Sequence, residues 1–425
     1  MTQGKYVEMQ IDLMKRFTPN TPEKLRELEL ESEQAVESLQ AACEVAREQF
    51  YYALIREIVE ERYDIGKLLE VHQIFGGYVN VTFGIYTEKG GEKQTWLFRK
   101  YREGKSTDSL IFEHRLLRHA SEHGFTYCAV PIDTVDGKTY AAKMVDTGKG
   151  DQEFLFAVFN YIDGVKTYDW MPNWAEEGLA DVTIASGARN MAELHSSTYD
   201  FDPQGQHGDS LFLDEGGEPC NTLIAQYPAR LKDYRKTYAE NNLDNVFIKY
   251  FDATYDYVKD CCEKATIPDE DYAKMFMCCC HNDFHAGNFK YDLNGAITGS
   301  FDYDSAMVDS RLFDLGLGMH YLFASWAPTT NGILRLDRVE RFIRAYNQEV
   351  LDIGKIPPLT DIEKKYLYEA LLQGPIYVHG WGTTDVITYP DVDPYEYLYY
   401  TQHFIQAMEW LEDHEAEIRD LATKL

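Results

Sequence analysis

The sequence is short of positive charge: 41 Lys and Arg stand against 71 Asp and Glu, a formal charge of −30 over 425 residues. Such a surface repels polyanions, so nucleic acid and acidic membranes are not expected as partners. Solubility accounts for most of the acidity, and attraction of a cationic substrate is the sharper reading of the same feature. Long apolar runs are also missing. No window of about twenty residues is free of charge, which excludes a membrane-spanning helix. The first residues, "MTQGKYVEMQIDLMKRF", lack the apolar core and small-residue cleavage site of a secretory signal, so a cytoplasmic protein is expected. No C-x-x-C pair occurs among the eight cysteines, and three of them, Cys278, Cys279 and Cys280, are contiguous. On a strand they alternate faces and cannot converge on one metal. They read as small apolar fillers in a reducing compartment.

What is present is enough chain for two lobes. Residues 21 to about 70 carry apolar positions at spacings of three or four, with Thr21 as a cap and Pro22 at the first helical position. From Leu69 the period changes. "HQIFGGYVNVTFGIYTEKGGEKQTWLFRKY" predicts two strands, a turn at "EKGGEK" and a third strand. A helix follows over "TDSLIFEHRLLRHASEHG", ended by Gly124. "YCAVPIDTVDGKTYAAKMV" then reads as strands turning at Asp136-Gly137, and "EFLFAVFNYIDG" as another. After Gly164 helical patterns dominate, over 222–264, 308–350 and 360–425. The expected divisions are a helical extension over 1–68, an antiparallel-sheet lobe over 69–164 and a helical lobe over 165–425.

One β-rich island interrupts the helical lobe: "HNDFHAGNFKYDLNGAITGSFDYD", residues 281–304, straight after the apolar "MFMCCC". The apolar run predicts a short buried strand that delivers Asp283 to a loop, where Gly287 permits a tight turn. "FKYDLNGAITGSFDYD" predicts a hairpin turning at Asn294-Gly295. Folded back, it returns Asp302 to the end where Asn288 began. One amide and one carboxylate, with no thiolate, suit Mg²⁺ better than zinc. A second carboxylate left free of the metal can accept a proton from an attacking hydroxyl. That division of labour is what phosphoryl transfer requires. Asp304 is either a further ligand or a turn residue. His281 and His285, at i and i+4, follow a strand and precede a glycine, so a helical metal pair is not expected; His281 reads as a scaffold hydrogen-bonder.

The order His281-x-Asp283-x₄-Asn288, a hairpin, Asp302 and then "DSRLFDLG" resembles the catalytic core of the aminoglycoside phosphotransferase and choline kinase superfamily. These are small-molecule kinases of protein-kinase-like fold. The resemblance covers roughly residues 65–325. It implies an α+β, bilobal fold with an antiparallel β-sheet N-lobe and a mainly helical C-lobe. It implies Asp283 as catalytic base, Asn288 and Asp302 as metal ligands, and Asp314 as a structural anchor of the loop. It implies ATP and Mg²⁺ as cofactors. "FGGYVNVTFGIY" is similar to the nucleotide loop, with Gly76, Gly77 and Asn80. "WLFRKY" resembles the strand with the phosphate-binding cation, here Arg99 in place of the usual lysine, with Lys100 on the opposite face. "FEHRLLRHA" resembles the helix whose glutamate, Glu113, pairs with that cation. "VFNYIDGV" resembles the adenine-binding hinge, with Asn160 and Ile162 offering backbone groups, and "MAELHSS" the helix beneath the catalytic loop.

The implied activity is ATP-dependent transfer of the γ-phosphate to a small-molecule hydroxyl. The helical lobe is rich in aromatics at "YDWMPNW", "YLFASWAP", "YVHGWGTTD" and "DPYEYLYY". Aromatic faces stack on sugars and cage ammonium groups. A sugar or amino sugar is favoured, and an amino alcohol or aminoglycoside also fits. Trp381 is the residue singled out for test. A nucleotide-binding scaffold without catalysis is the alternative from another class, motivated by Arg99 and the acidic helical N-terminus. A protein kinase is disfavoured, because Asp314 follows Asp302 by only twelve positions and leaves no room for a long activation segment. The sequence does not specify the oligomeric state.

Overall fold

The computed structural model describes residues 51–74, 80–146, 150–171, 179–209, 217–389 and 392–425. Contacts divide the chain into two compact units. One holds the described residues up to Lys105 together with Pro131–Tyr161. The other holds Ser106–Val130 and everything from Ile162 onward.

The first unit is a five-stranded antiparallel sheet in the order β1-β2-β3-β5-β4. Its strands are β1 (Lys67–Ile74), β2 (Val81–Lys89), β3 (Glu92–Lys100), β4 (Ala141–Asp146) and β5 (Asp151–Asn160). The predicted "EKGGEK" turn is a two-residue hairpin. Lys89 pairs with Glu92, and Gly90 and Gly91 take φ of 63° and 87°, the left-handed pair that such a turn demands. Helix α1, residues 51–62, covers one face. Its Leu54, Ile55, Ile58 and Val59 are buried with Phe83, Ile85, Phe98, Phe156 and Val158. Each contributes roughly 1.5–3 kcal/mol relative to an exposed position.

The helix stops at residue 62 instead of near 70, because Gly66, at φ 95°, turns the chain into β1. Nor is it an extension, since Leu54, Ile55, Ile58 and Val59 are part of the sheet's own buried core. The stretch 127–140 is not a strand. It makes only isolated bridges, Cys128 with Ser300, Pro131 with Phe159 and Tyr63 with Thr134, ahead of the Gly137 turn (φ 77°).

The second unit is helical: α2 (Thr107–Glu122), α3 (Asp181–Ser197), α4 (Cys220–Glu240), α5 (Val246–Ala265), α6 (Asp269–Tyr272), α7 (Arg311–Phe323), α8 (Leu336–Ile353), α9 (Asp361–Lys365), α10 (Leu367–Thr388), α11 (Pro394–Asp413) and α12 (Glu415–Ala422). The sequence boundaries put α2 with the sheet. It belongs instead to the helical unit, where Ser109 Oγ donates to Asp209 (2.7 Å) and Arg115 to Gln206 (2.9 Å). Four short strands interrupt the helices: β6 (Met277–Cys280) pairs with β9 (Met307–Ser310), and β7 (Phe289–Tyr291) with β8 (Ile297–Ser300). Among the described residues no helix is long and apolar enough to cross a membrane. The described cysteines are free and buried, Cys278–Cys280 included.

Helix α7 sets the site's position. Ser310 Oγ caps it by accepting from Leu312 N. Arg311, fully buried, makes a two-pronged ion pair with Glu363 (2.7 Å on each prong) and donates to the Pro357 and Pro358 carbonyls. Farther along, α7 meets α10 backbone to backbone: a Cβ on Gly316 would lie 2.3 Å from the Ala370 carbonyl oxygen. Gly316→Ala must push the helices apart, and an overpacking cost of about 1–3 kcal/mol or more is expected. Urea denaturation checks this; an unchanged midpoint would contradict the packing described.

Candidate active site

The catalytic-type segment begins where β6 ends. The buried apolar strand stops at Cys280, and the next two amides turn inward. His281 N donates to Asp314 Oδ2 and Asn282 N to Asp314 Oδ1, both at 2.9 Å. Asp314 lies in the first turn of α7 and is wholly buried. Its third partner is His195 of α3, with Nε2 at 3.0 Å. The carboxylate only accepts, so Nε2 carries the proton and Nδ1 accepts from the Tyr346 hydroxyl at 2.8 Å. Burial pushes the Asp314 carboxyl up, but the hydrogen bond and electrostatic attraction of His195, with the His281 contacts, outweigh it and hold the group below its ordinary range. Asn282 takes φ 59°, an uncommon conformation for a residue with a side chain, and its Nδ2 donates to the Ser305 carbonyl at 3.1 Å. His281 Nε2–H donates to the Phe301 carbonyl at 3.0 Å. Asp314 and His281 thus take the scaffold roles expected of them.

Asp283 follows directly. Its carbonyl accepts from His285 N and from Asn288 Nδ2, both at 2.9 Å. Its carboxylate Oδ2 lies 3.1 Å from Asn288 Nδ2 and 3.5 Å from His285 Nε2. His285 Nδ1 accepts from Gly287 N at 3.1 Å, so the ring proton sits on Nε2 and faces Asp283. Burial again pushes the carboxyl up; His285, His281 and the Asn288 hydrogen bond together bring it below its usual value. Burial, and then the Asp283 charge, push the neighbouring Tyr321 hydroxyl well up. Asp283 is therefore a carboxylate, not an acid, near neutral pH. Gly287 lies in the tight turn expected of it, a single 3-10 turn over Ala286–Asn288, but it is needed there for space and not for handedness: its φ is not positive, and a Cβ would meet Trp170 N at 2.9 Å.

The hairpin turns where expected. Asp292 Oδ1 accepts from Asn294 N and Ala296 N (2.8 Å each), and Gly295 takes φ 88°. Phe289 pairs with Ser300, and Phe301 N donates to the Asn288 carbonyl at 2.9 Å. Asp302 is the next residue, so it stands beside Asn288 although fourteen positions separate them. Asp302 also has a left-handed backbone, φ 67°. Strained non-glycine residues of this kind persist where the surroundings over-determine them. The Asp304 carbonyl accepts from Asp209 N at 2.5 Å.

The remaining predicted residues divide between the units. Gly76 and Gly77 lie outside the described residues. Asn80, buried, accepts from Arg102 N at 3.0 Å. On β3, Lys100 Nζ sits 3.6 Å over the Phe154 ring, on the face that α1 covers. Arg99 faces the other side, buried against Tyr101 and Phe159. The strand alternation expected for this pair therefore holds. Glu113 is buried in α2. Asn160 ends β5 opposite Trp96. Ile162 belongs to the helical unit, and its carbonyl already accepts from Lys290 Nζ at 2.6 Å.

An aromatic cluster adjoins the Asp283 loop through Trp170. Trp326 packs edge-on against it at 5.2 Å, Tyr400 at 4.9 Å and Trp381 at 6.3 Å. The Tyr397 hydroxyl donates to Asp385 Oδ2 at 2.8 Å, and burial pushes the Asp385 carboxyl up. Sequence reading missed His285 and Tyr321 around Asp283. A histidine two positions after a loop aspartate was the available signal.

A sheet unit, a helical unit and a loop-plus-hairpin of this order define a protein-kinase-like small-molecule phosphotransferase. The model of the phosphotransferase enzyme family matches residues 70–350, and the chain belongs to that family. Choline kinase from Cryptosporidium parvum Iowa II is similar in fold: TM-score 0.53, 15% identity, 88% of this chain and 99% of that one covered. So is amicoumacin kinase hAmiN in complex with AMP-PNP, Ca²⁺ and Ami, at TM-score 0.50 and 15% identity, covering 87% and 93%. A search of the curated proteins finds no match.

The Asp314 anchor makes its own prediction. Asp314→Asn sets an amide N–H against one of two inward-pointing backbone donors, at a cost on the order of 1–3 kcal/mol. Because the folded carboxyl is depressed, its contribution is fully present above the unfolded value of about 3.9 and is lost as pH falls through the folded value. The stability gap between wild type and Asp314→Asn, measured by urea melts, should be widest near neutrality and close in acid. A gap that widens in acid would contradict the assignment.

Proposed function

We propose that this protein transfers the γ-phosphate of ATP to a hydroxyl of a small molecule, with Asp283 as the catalytic base. The observation that carries this reading is the meeting of Asp283, Asn288 and Asp302 on one anchored loop and hairpin. Asp283 accepts the proton of the attacking hydroxyl and orients its oxygen; Asn288 Nδ2 and His285 Nε2–H fix the carboxylate's direction and keep it ionised.

The donor set fits a hard divalent cation, Mg²⁺. Asn288 spends Nδ2 on Asp283, so Oδ1 is the atom it would offer the ion, and Asp302 would add a carboxylate. The nearby thiols do not compete: burial pushes Cys279 and Cys280 well up, away from thiolate. When bound, the ion neutralises charge on the phosphates. Arg99 and Glu113 serve the phosphate oxygens, Gly76, Gly77 and Asn80 belong to the same phosphate-binding set, and backbone groups of Asn160 and Ile162 receive the adenine. The acidic surface is consistent with a cytoplasmic enzyme that engages neither nucleic acid nor membranes.

Replacing Asp283 with Ala should lower turnover roughly 100- to 10,000-fold while ATP affinity stays near that of wild type. ADP release with magnesium and an acceptor measures the first and calorimetry the second. Unchanged turnover would remove the assigned role, and absence of turnover with every acceptor would favour the scaffold reading.

A sugar or amino sugar is the first acceptor to test. The Trp170–Trp326–Trp381–Tyr400 cluster beside Asp385 supports a second reading, an amino alcohol, since rings and a carboxylate together hold an ammonium group. In a panel of sugars, amino sugars, amino alcohols and aminoglycosides, Trp381→Ala should raise KM for the true acceptor several-fold or more, in line with about 1–2 kcal/mol of ring contact. An unchanged KM would move the acceptor away from this cluster.

A further inference from the structure

A second cluster of metal-ligating side chains lies outside the phosphotransferase site. Helix α2 ends in His119 and His123, one turn apart, and the turn after α3 supplies Asp200. One ligand atom of each lies within 4.8 Å of the other two. His119 Nε2 is 3.1 Å from Asp200 Oδ1. Two ligand atoms on a tetrahedral ion with bonds of about 2.0–2.2 Å stand roughly 3.3 Å apart, so this pair already has nearly the spacing of shared coordination. His123 Nδ1–H donates to the His119 carbonyl at 2.8 Å, which leaves Nε2 as its lone-pair nitrogen. A ring N–H spent on a backbone carbonyl is the usual support of a metal-bound imidazole. Phe201 packs edge-on against the His119 ring at 5.3 Å and limits its rotation. The pair also sits at the C-terminal end of α2, where the carbonyl dipoles favour a cation. Asp200 is exposed and His119 partly so, which gives an ion access.

We propose that His119, His123 and Asp200 form a transition-metal site, fitted to Zn²⁺, that ties the end of α2 to the turn after α3. Two imidazole nitrogens and a carboxylate, with a fourth position left for water, are a donor set of zinc type. The hard oxygens of Asn288 and Asp302 are of a different kind. The cations facing the cluster are already engaged: Arg115 with the Asp202 carbonyl and Gln206, and Lys355 Nζ with the His123 carbonyl at 2.8 Å. Binding requires the two stacked rings, 4.0 Å apart with 22° between their planes, to splay about χ2, a soft torsion.

The test uses the full chain, stripped with chelator and dialysed. Calorimetric titration with ZnCl₂ should show one tight equivalent that raises Tm, and CoCl₂ should give the visible bands of a tetrahedral site. His123→Ala and Asp200→Asn should each weaken Zn²⁺ at least about tenfold and abolish the Co²⁺ bands. His72→Ala, in the sheet unit, should behave as wild type. Asp200→Asn is isosteric and exposed, so it keeps the test valid should His123→Ala fold poorly. No binding by wild type, or variants that bind as tightly as wild type, overturns the proposal.

Discussion

Two backbone amides pointing at one buried carboxylate hold the site together. Asp314 accepts from His281 N and Asn282 N, and without it both donors would be stranded in the core at the point where the chain leaves β6. An unpaired buried N–H costs on the order of 1–3 kcal/mol, so the loop has one low-energy path. That path puts Asn282 in a left-handed conformation and aims Asp283 out of the core. Asp314 is itself fixed by His195 and by its place in the first turn of α7.

The position of α7 is in turn over-determined. Arg311 and Glu363 form a fully buried, doubly bonded pair, a weak source of net stability but a strong source of specificity, since removing either partner strands a charge. Gly316 lets α7 lie against the α10 backbone, and Gly374 returns the favour, with the His320 Cβ 3.1 Å from where its own Cβ would stand. The hairpin adds the last constraint. Its register is set by the Asp292 turn and by Gly295, and a slip of one residue would move Asp302 away from Asn288 and flip every side chain. The strain at Asn282 and Asp302 is tolerated because these three supports leave no alternative.

Much of this was legible in sequence because the signals were local. Gly90-Gly91 and Asn294-Gly295 each mark a turn by residue type, and each does so in the structure. The H-x-D-x₄-N order and the pattern after it marked the anchored loop and the hairpin. What sequence could not supply depended on distant partners. Residues 127–140 alternate like a strand, yet no neighbouring strand is available to pair with them continuously. Gly287 looked like a turn glycine, and the demand on it is the Trp170 backbone 117 positions earlier. The role of His285 depends on its Nδ1 meeting Gly287 N, which turns Nε2 toward Asp283. The end of α1 was set by Gly66, where a Cβ would strike the Glu88 carbonyl on β2.

The most direct measurement is a crystal structure with Mn²⁺ and a non-hydrolysable ATP analogue, read by anomalous scattering. The account predicts a manganese peak bound by Asn288 Oδ1 and the Asp302 carboxylate, with the Asp283 carboxylate off the metal. A peak coordinated by Asp283, or one held away from both Asn288 and Asp302, would contradict it.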